Sequence, residues 1–226
     1  MVVTNGDSHM PQIRRAMNAG QKERRRDDVL DAARRLCIGS DMSALSMDAI
    51  AREAGLAKGT LYLYFQTKEE LFLALLEQDM EGWLASVEAA FAEALPSDHR
   101  ALAKFIAAGL IERPLMTQLF ARLPAVLEGN LPDDVALAFR LRTVRRTDAF
   151  GACLERALGP IAQGQGARLS QWVFAMIVGV HQIANPRPRM QRVLESRPEL
   201  LARRLDFESE LADALTALLD GIAPTA

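Results

Sequence analysis

With 226 residues and a formal net charge of −2, the chain suits one moderate domain or a small domain joined to a larger one. Half of it is hydrophobic but only 6% is aromatic, and Ala, Leu and Arg dominate with little β-alternation, so an all-helical (all-α) chain is expected. No apolar run reaches the roughly 18 residues that would span a bilayer and no secretory leader is visible, so a cytoplasmic protein with no membrane partner is expected.

The small net charge hides an asymmetry. Through Lys68 there are 11 Lys and Arg against 8 Asp and Glu, whereas the remainder carries an acidic excess. Three of the four lysines (Lys22, Lys58 and Lys68, but not Lys104) lie in the basic part. A basic head on an acidic body is the distribution expected of a nucleic-acid-binding module attached to a ligand- or protein-facing one.

Residues 1–20 mix Asn, Gly, Asp, Ser and Pro without a sustained period and read as a disordered arm, with Met10 a candidate native start. Arg14, Arg15, Lys22, Arg24, Arg25 and Arg26 make this region basic. Such a run can lie along phosphates or enter a minor groove, and a solvated tail accounts for it equally well. A first helix is expected over 24–38, with Val29, Leu30, Ala33, Leu36 and Cys37 inward and Gly39 as its stop. Cys37 and the distant Cys153 read as buried free thiols.

The stretch 46–68 carries the most information. Ser46 is a good N-cap, with Met47, Ile50, Ala51 and Ala54 following at helical spacing. Gly55 is suited to a left-handed C-terminal residue, and a second helix is expected over about 57–65. A short helix, a Gly turn and a polar-faced second helix make a helix-turn-helix, whose second member enters the major groove of double-stranded DNA. Lys58 and Lys68 bracket that helix and can neutralise phosphates. Thr60, Tyr62 and Tyr64 offer hydroxyls, and Leu63 can touch thymine methyls. Gly59 lets the helix N-terminus approach a phosphate. Ser46 and Met47, at the start of the first helix, complete the candidate DNA-binding set. Leu61 and Phe65 read as core. The plainer account makes Tyr62 and Tyr64 core aromatics too, but their position beside lysines on a short polar face favours DNA.

The phrase GLAKGTLYLYFQTKEEL, from Gly55 to Leu71, resembles the DNA-binding domain of the tetracycline-repressor (TetR) family of bacterial regulators. The similarity covers about the first third of the chain. Upstream, Asp41-Met42 replaces the Gly-aromatic pair usual in that family. The resemblance implies a DNA-binding head over 21–68 and a helical effector-binding and dimerisation body over 69–226.

Thr67 is a natural N-cap with Glu70 at capping-box spacing, opening a long helix to about Leu95 that joins head to body. Further helices are expected over 97–111, 114–127, 133–158, 167–184 and 205–222, with a short one over 190–195. Pro96, Pro114, Gly129-Asn130, Pro132, Gly159-Pro160 and Asn185-Pro186 mark the joints, and Pro124 is a candidate kink.

No catalytic constellation can be assembled. His9, His99 and His181 have no metal-spaced partners, and no nucleophile elbow, P-loop or dinucleotide fingerprint occurs. An enzyme is therefore not expected, nor a cofactor or metal. The large and soft residues Trp83, Phe105, Met116, Phe120, Phe139, Phe150, Trp172, Phe174 and Met176 are spread along the body. Each is ordinarily core, but the resemblance implies an apolar pocket. The candidate ligand-binding set is Trp83, Phe105, Met116, Phe120, Phe139, Trp172, Met176 and His181. His181 alone on an apolar helix is more often a core histidine than a ligand contact. Arg140, Arg142, Arg145 and Arg146 crowd one helix, and one of them is a candidate to reach an acidic effector.

These features point to a homodimeric repressor that leaves a near-palindromic operator when a small, hydrophobic effector binds. The dimer contact is expected on the last two long helices, through Leu169, Val173, Ile177 and Val180 with Leu211, Leu215 and Leu218, and with Ala175 and Gly179 allowing close approach. The competing account makes those leucines intramolecular core. A protein-partnered architectural or cell-division regulator on the same fold is the alternative function.

Overall fold

The computed structural model describes residues 10–37, 42, 45–123 and 131–222. Among them every regular element is helical, so the all-α expectation holds. Residues 1–9 of the expected arm, the Gly39 stop, the Pro124 kink and the Gly129-Asn130 joint lie outside the described residues. The chain divides into two compact units, Met1–Leu71 and Phe72–Ala226.

In the first unit, α1 (Met10–Cys37) begins well before the expected start near residue 24. The second half of the expected irregular arm is thus helical. Gln12, Arg14, Arg15, Ala16 and Met17 favour helix, and Gly20 costs only about 1 kcal/mol, which a long helix tolerates. Helix α2 (Met47–Glu53) packs on α1, and the short α3 (Lys58–Leu61) packs on α2. Val29, Leu30, Ala33, Cys37, Ile50, Leu61 and Phe65 form the buried interior, and Met42 joins them. Full burial of each large apolar side chain contributes roughly 1.5–3 kcal/mol.

Both joints of the helix-turn-helix follow local rules. Gly55 sits at φ 67°, while Gly55 N–H bonds Arg52 O at 3.1 Å and Leu56 N–H bonds Ala51 O at 2.8 Å. That paired pattern is the Schellman ending, which needs a residue free to adopt positive φ. The second helix is shorter than expected. From Tyr62 to Phe65 the chain turns, with Leu63 N–H on Thr60 O and Tyr64 N–H on Leu61 O, both i to i−3 bonds. Phe65 N–H nevertheless bonds Leu61 O at 3.1 Å, so the two residues stay one turn apart on the buried side.

Helix α4 (Lys68–Glu93) begins in the first unit and continues in the second. Its start is a variant of the capping box, with the return bond one residue before the cap: Thr67 Oγ1 accepts from Glu70 N–H at 3.0 Å, and Glu70 Oε2 accepts from Gln66 N–H at 2.7 Å. The rest of the second unit comprises α5 (His99–Ile111), α6 (Pro114–Arg122), α7 (Asp133–Leu158), α8 (Gly166–Ala184), α9 (Pro188–Glu195), α10 (Pro198–Leu201) and α11 (Phe207–Asp220). A 3₁₀ turn, Gly159–Ala162, joins α7 to α8. Helices α5 and α11 pack together, and α8 lies against α6, α7 and α11. Asp98 and Asp206 cap α5 and α11, and the hydrogen bonds from Ser209 hold the Asp206 carboxyl below its usual range.

This packing buries five of the expected dimer residues within the chain. Leu169, Val173, Ile177, Leu211 and Leu215 are buried within the one chain, and Val180 and Leu218 are half-buried. Helix α11 turns its leucines onto α5 and α8, so they are intramolecular core, as the competing account held. Ala175 and Gly179 do face outward.

Candidate nucleic-acid interface and body cavity

Ser46 Oγ accepts from Ala49 N–H at 3.2 Å, capping α2 and leaving its hydroxyl hydrogen to donate outward. Met47 follows, half-buried. Lys58, Gly59, Tyr62 and Leu63 are exposed, Thr60 and Lys68 are half-buried, and Leu61 and Phe65 point in. Leu63 holds 75% of its surface in solvent, the largest value among the exposed large hydrophobics described. Tyr64 stands apart from Tyr62: it borders an open recess with Lys22, Arg24 and Arg25 of α1. Arg26 lies over the Phe65 ring, 5.1 Å from its centroid.

Sequence reasoning missed one member of this surface. Asp48 Oδ1 lies 2.8 Å from Lys58 Nζ. That hydrogen bond raises the lysine's pKa, so Lys58 is charged, but it shares its charge with a carboxylate on the same face. Their separation of ten residues across a turn gives no periodic signal.

The second unit contains a cavity of about 630 Å³. Its apolar wall is Met80, Trp83 and Leu84 of α4, Phe120 of α6 with Leu123 just beyond it, Phe139 and Phe150 of α7, and Val173, Phe174 and Ile177 of α8. Of the candidate ligand residues, Trp83, Phe120 and Phe139 are brought together here. Phe105, Met116, Trp172, Met176 and His181 are not among the lining residues. Phe105 packs against Phe91 at 5.4 Å, Met116 is fully buried, and Trp172 lies under the Arg168 guanidinium at 4.3 Å. His181 meets the edge of Phe207 at 5.5 Å. Burial, with Arg122 adding to it, lowers the His181 pKa and favours the neutral ring.

Phe150 and Phe174 take the vacated roles. Phe150 meets Trp83 at 4.9 Å and Phe174 meets Phe120 edge-on at 5.2 Å. Arg140, Thr143, Arg146, Thr147 and Asp148 of α7 and Ser170 and Gln171 of α8 supply the polar part of the wall. The Trp83 indole N–H is buried without a hydrogen-bond partner and lies against the Gly109 main chain.

The helix-turn-helix of the first unit defines a DNA-binding protein, and the second, helical unit holds a cavity. Residues 29–75 match the family model "Bacterial regulatory proteins, tetR family" and residues 77–226 match "Tetracyclin repressor-like, C-terminal domain", so the chain belongs to the TetR family. An uncharacterised HTH-type transcriptional regulator of Mycobacterium tuberculosis is 25% identical over 166 residues, covering 73% of this chain and 78% of the relative. The fatty acid metabolism regulator protein of Bacillus subtilis is 31% identical over 68 residues, 30% of this chain and 35% of its own. The fold is shared with the fatty acid degradation regulator FadR of Bacillus halodurans, with a TM-score of 0.55 and 18% identity, covering 87% of this chain and 95% of that one. The multidrug binding protein EbrR, crystallised with imidazole, gives 0.53 and 21% over 89% and 96% of the two chains. The chain is thus a DNA-binding transcriptional regulator, not an enzyme. No helix among the described residues is long and apolar enough to cross a membrane.

Proposed function

We propose that this regulator is a cytoplasmic repressor, held on a near-palindromic operator as a homodimer and released by a small, mostly apolar effector. The observation that carries the reading is the cavity walled by α4 and α6–α8, large enough for a small ligand and mostly aromatic and aliphatic. The residues that meet DNA are Ser46, Met47, Lys58, Gly59, Thr60, Tyr62, Leu63, Tyr64 and Lys68. Helix α4 links the two functions, because Lys68 opens it and Trp83 lies on its cavity face. A coupling of about 1–3 kcal/mol between the two sites changes operator affinity roughly 5- to 150-fold. By linkage, an effector that weakens DNA binding itself binds more weakly to the operator complex. Titrating a candidate apolar effector against free protein and against the operator complex tests this. Equal affinities in the two titrations would refute the sensor role for that molecule.

Two copies are required because one short recognition helix makes too few base contacts for tight, specific binding. The outward ridge of α8, Gln171–Ala175–Gly179–Ile183 at i to i+4 spacing, replaces the buried leucines as the contact surface, since its small residues allow close helix approach. A side chain at Gly179 meets nothing within 4 Å in the single chain. Gly179→Glu is therefore expected to fold, to sediment as a monomer at micromolar concentration and to lose operator binding. A Gly179→Glu protein that stays dimeric would place the contact elsewhere.

A further inference from the structure

We infer that the effector is an amphipathic acid, whose carboxylate competes with Glu77 for Arg146 at the cavity wall while its apolar body fills the aromatic interior. This rests on the cavity being the effector site.

The charge arrangement behind that wall carries the inference. Glu77 of α4 accepts from Arg142 Nε at 2.6 Å and Nη2 at 3.1 Å, and from Arg146 Nη1 at 3.1 Å. Arg146 also pairs with Glu81. Glu77 and Arg146 are inside, with side-chain exposures of 13% and 11%, whereas Glu81 is 65% exposed. Arg146 and Glu77 are thus the interior pair of a neutral cluster of two arginines and two carboxylates, in which Arg142 and Glu81 are the more solvated members. Exposed partners contribute little, so Glu81 gives up Arg146 to another carboxylate at small cost. Arg146 lines the cavity, but neither Glu77 nor Glu81 does. At the exposed rim Arg140 and Asp148 oppose each other in sign.

Two hydroxyls of the wall do not serve an anion. Thr143 Oγ1 donates to Phe139 O at 2.9 Å and Ser170 Oγ donates to Thr147 O at 3.0 Å. With their hydrogens on main-chain carbonyls, these hydroxyls present lone pairs, which suit a donor such as an alcohol. Only a guanidinium offers a carboxylate paired donors in a fixed fork. A bound acid thus draws on Arg146, and an alcohol of the same length does not.

The same geometry makes the acid regulatory. Glu77 and Glu81 belong to α4, and Arg142 and Arg146 to α7. When Arg146 turns to a ligand carboxylate, the Glu77–Arg146 tie between these helices is lost and Glu77 keeps Arg142 alone. Helix α4, which opens with Lys68, is then less tightly held to the cavity wall.

The test uses the full-length protein, with Nile red as a neutral reporter of the cavity and dodecanoate and dodecanol as a matched pair of competitors. Dodecanoate is expected to displace the dye at a concentration on the order of tenfold below dodecanol, the scale of one charge-assisted hydrogen bond. Arg146→Gln is expected to reduce that preference, read as the ratio of the two displacing concentrations in the same variant, to about one, and Glu77→Gln to increase it by freeing Arg146. Arg145→Gln, an exposed arginine of α7 outside the cavity lining, leaves the preference as it was. Should Arg146→Gln fail to fold, Glu77→Gln decides: no rise in acid preference overturns the inference. Equal displacement by acid and alcohol in the wild-type protein overturns it while the cavity reading stands. Failure of the wild-type protein to bind Nile red overturns both.

Discussion

Tyr62→Ala is expected to weaken operator binding by about thirtyfold or more with no loss of stability. Tyr62 is exposed beyond the last turn of α3 and has φ −66° and ψ −13°, which alanine adopts without strain. A base-edge contact is worth about 1–3 kcal/mol, and a homodimer makes it twice, for about 2–6 kcal/mol in total. Leu61→Ala, one residue earlier, is expected to do the reverse. It removes a fully buried side chain and costs about 2–5 kcal/mol of stability before DNA is involved. Asp48→Asn supplies the opposite sign. The Lys58–Asp48 pair has both side chains more than half exposed, so its loss costs the fold little. Removing the carboxylate takes a negative charge from the phosphate-facing surface and leaves Lys58 to DNA alone. Binding to all sequences is expected to tighten severalfold, and the salt dependence to steepen by about one charge. Gel shifts at several salt concentrations, with thermal melts alongside, check all three. Unchanged operator binding in both Tyr62→Ala and Asp48→Asn would remove this surface from the interface.

Gly151→Ala is expected to be the most damaging single methyl in the second unit. A Cβ at Gly151 would lie 2.5 Å from the Gly166 carbonyl carbon and 2.8 Å from Ala167 N. Reciprocally, a Cβ at Gly166 would lie 2.6 Å from the Gly151 main chain. Both obstacles are backbone and cannot swing aside. Glu155 Oε1 also accepts from Gly166 N–H at 2.7 Å, fixing the start of α8 against α7. Overpacking of this kind costs about 3 kcal/mol, outweighing the roughly 0.5–1 kcal/mol that alanine normally gains over glycine in a helix. For a unit of this size the melting temperature should fall by about 4–10 °C. Dye binding should fall with it, because α7 and α8 form much of the cavity wall. Gly82→Ala, in open space on α4, is expected to be neutral or mildly stabilising. Equal melting temperatures for Gly151→Ala and wild type would show that the two helices separate at little cost.

What the sequence by itself determined is what local chemistry encodes. The Ser46 cap, the Gly55 turn, the Thr67–Glu70 capping box and the bounds of α7 each depend on a few neighbouring residues, and each was legible at its position. The family motif belongs here too, since the whole phrase from Gly55 to Leu71 is contiguous. The length of α3 was less legible: the chain leaves regular helix after Leu61, although Phe65, one turn on, stays on the buried side. Tertiary structure alone decided which apolar residues meet. Phe150 and Phe174 line the cavity while Phe105 and Met116 pack elsewhere, although all four are apolar residues on helices. Leu169 and Leu211 looked fit for a partner until α5, α7 and α8 were seen to bury them. The Glu77–Arg146 pair spans 69 residues and the close pass of Gly151 on Gly166 depends on how α7 and α8 cross. A hydrophobic side chain records only that it leaves water. Which wall or cavity it reaches is set by the packing of every helix around it.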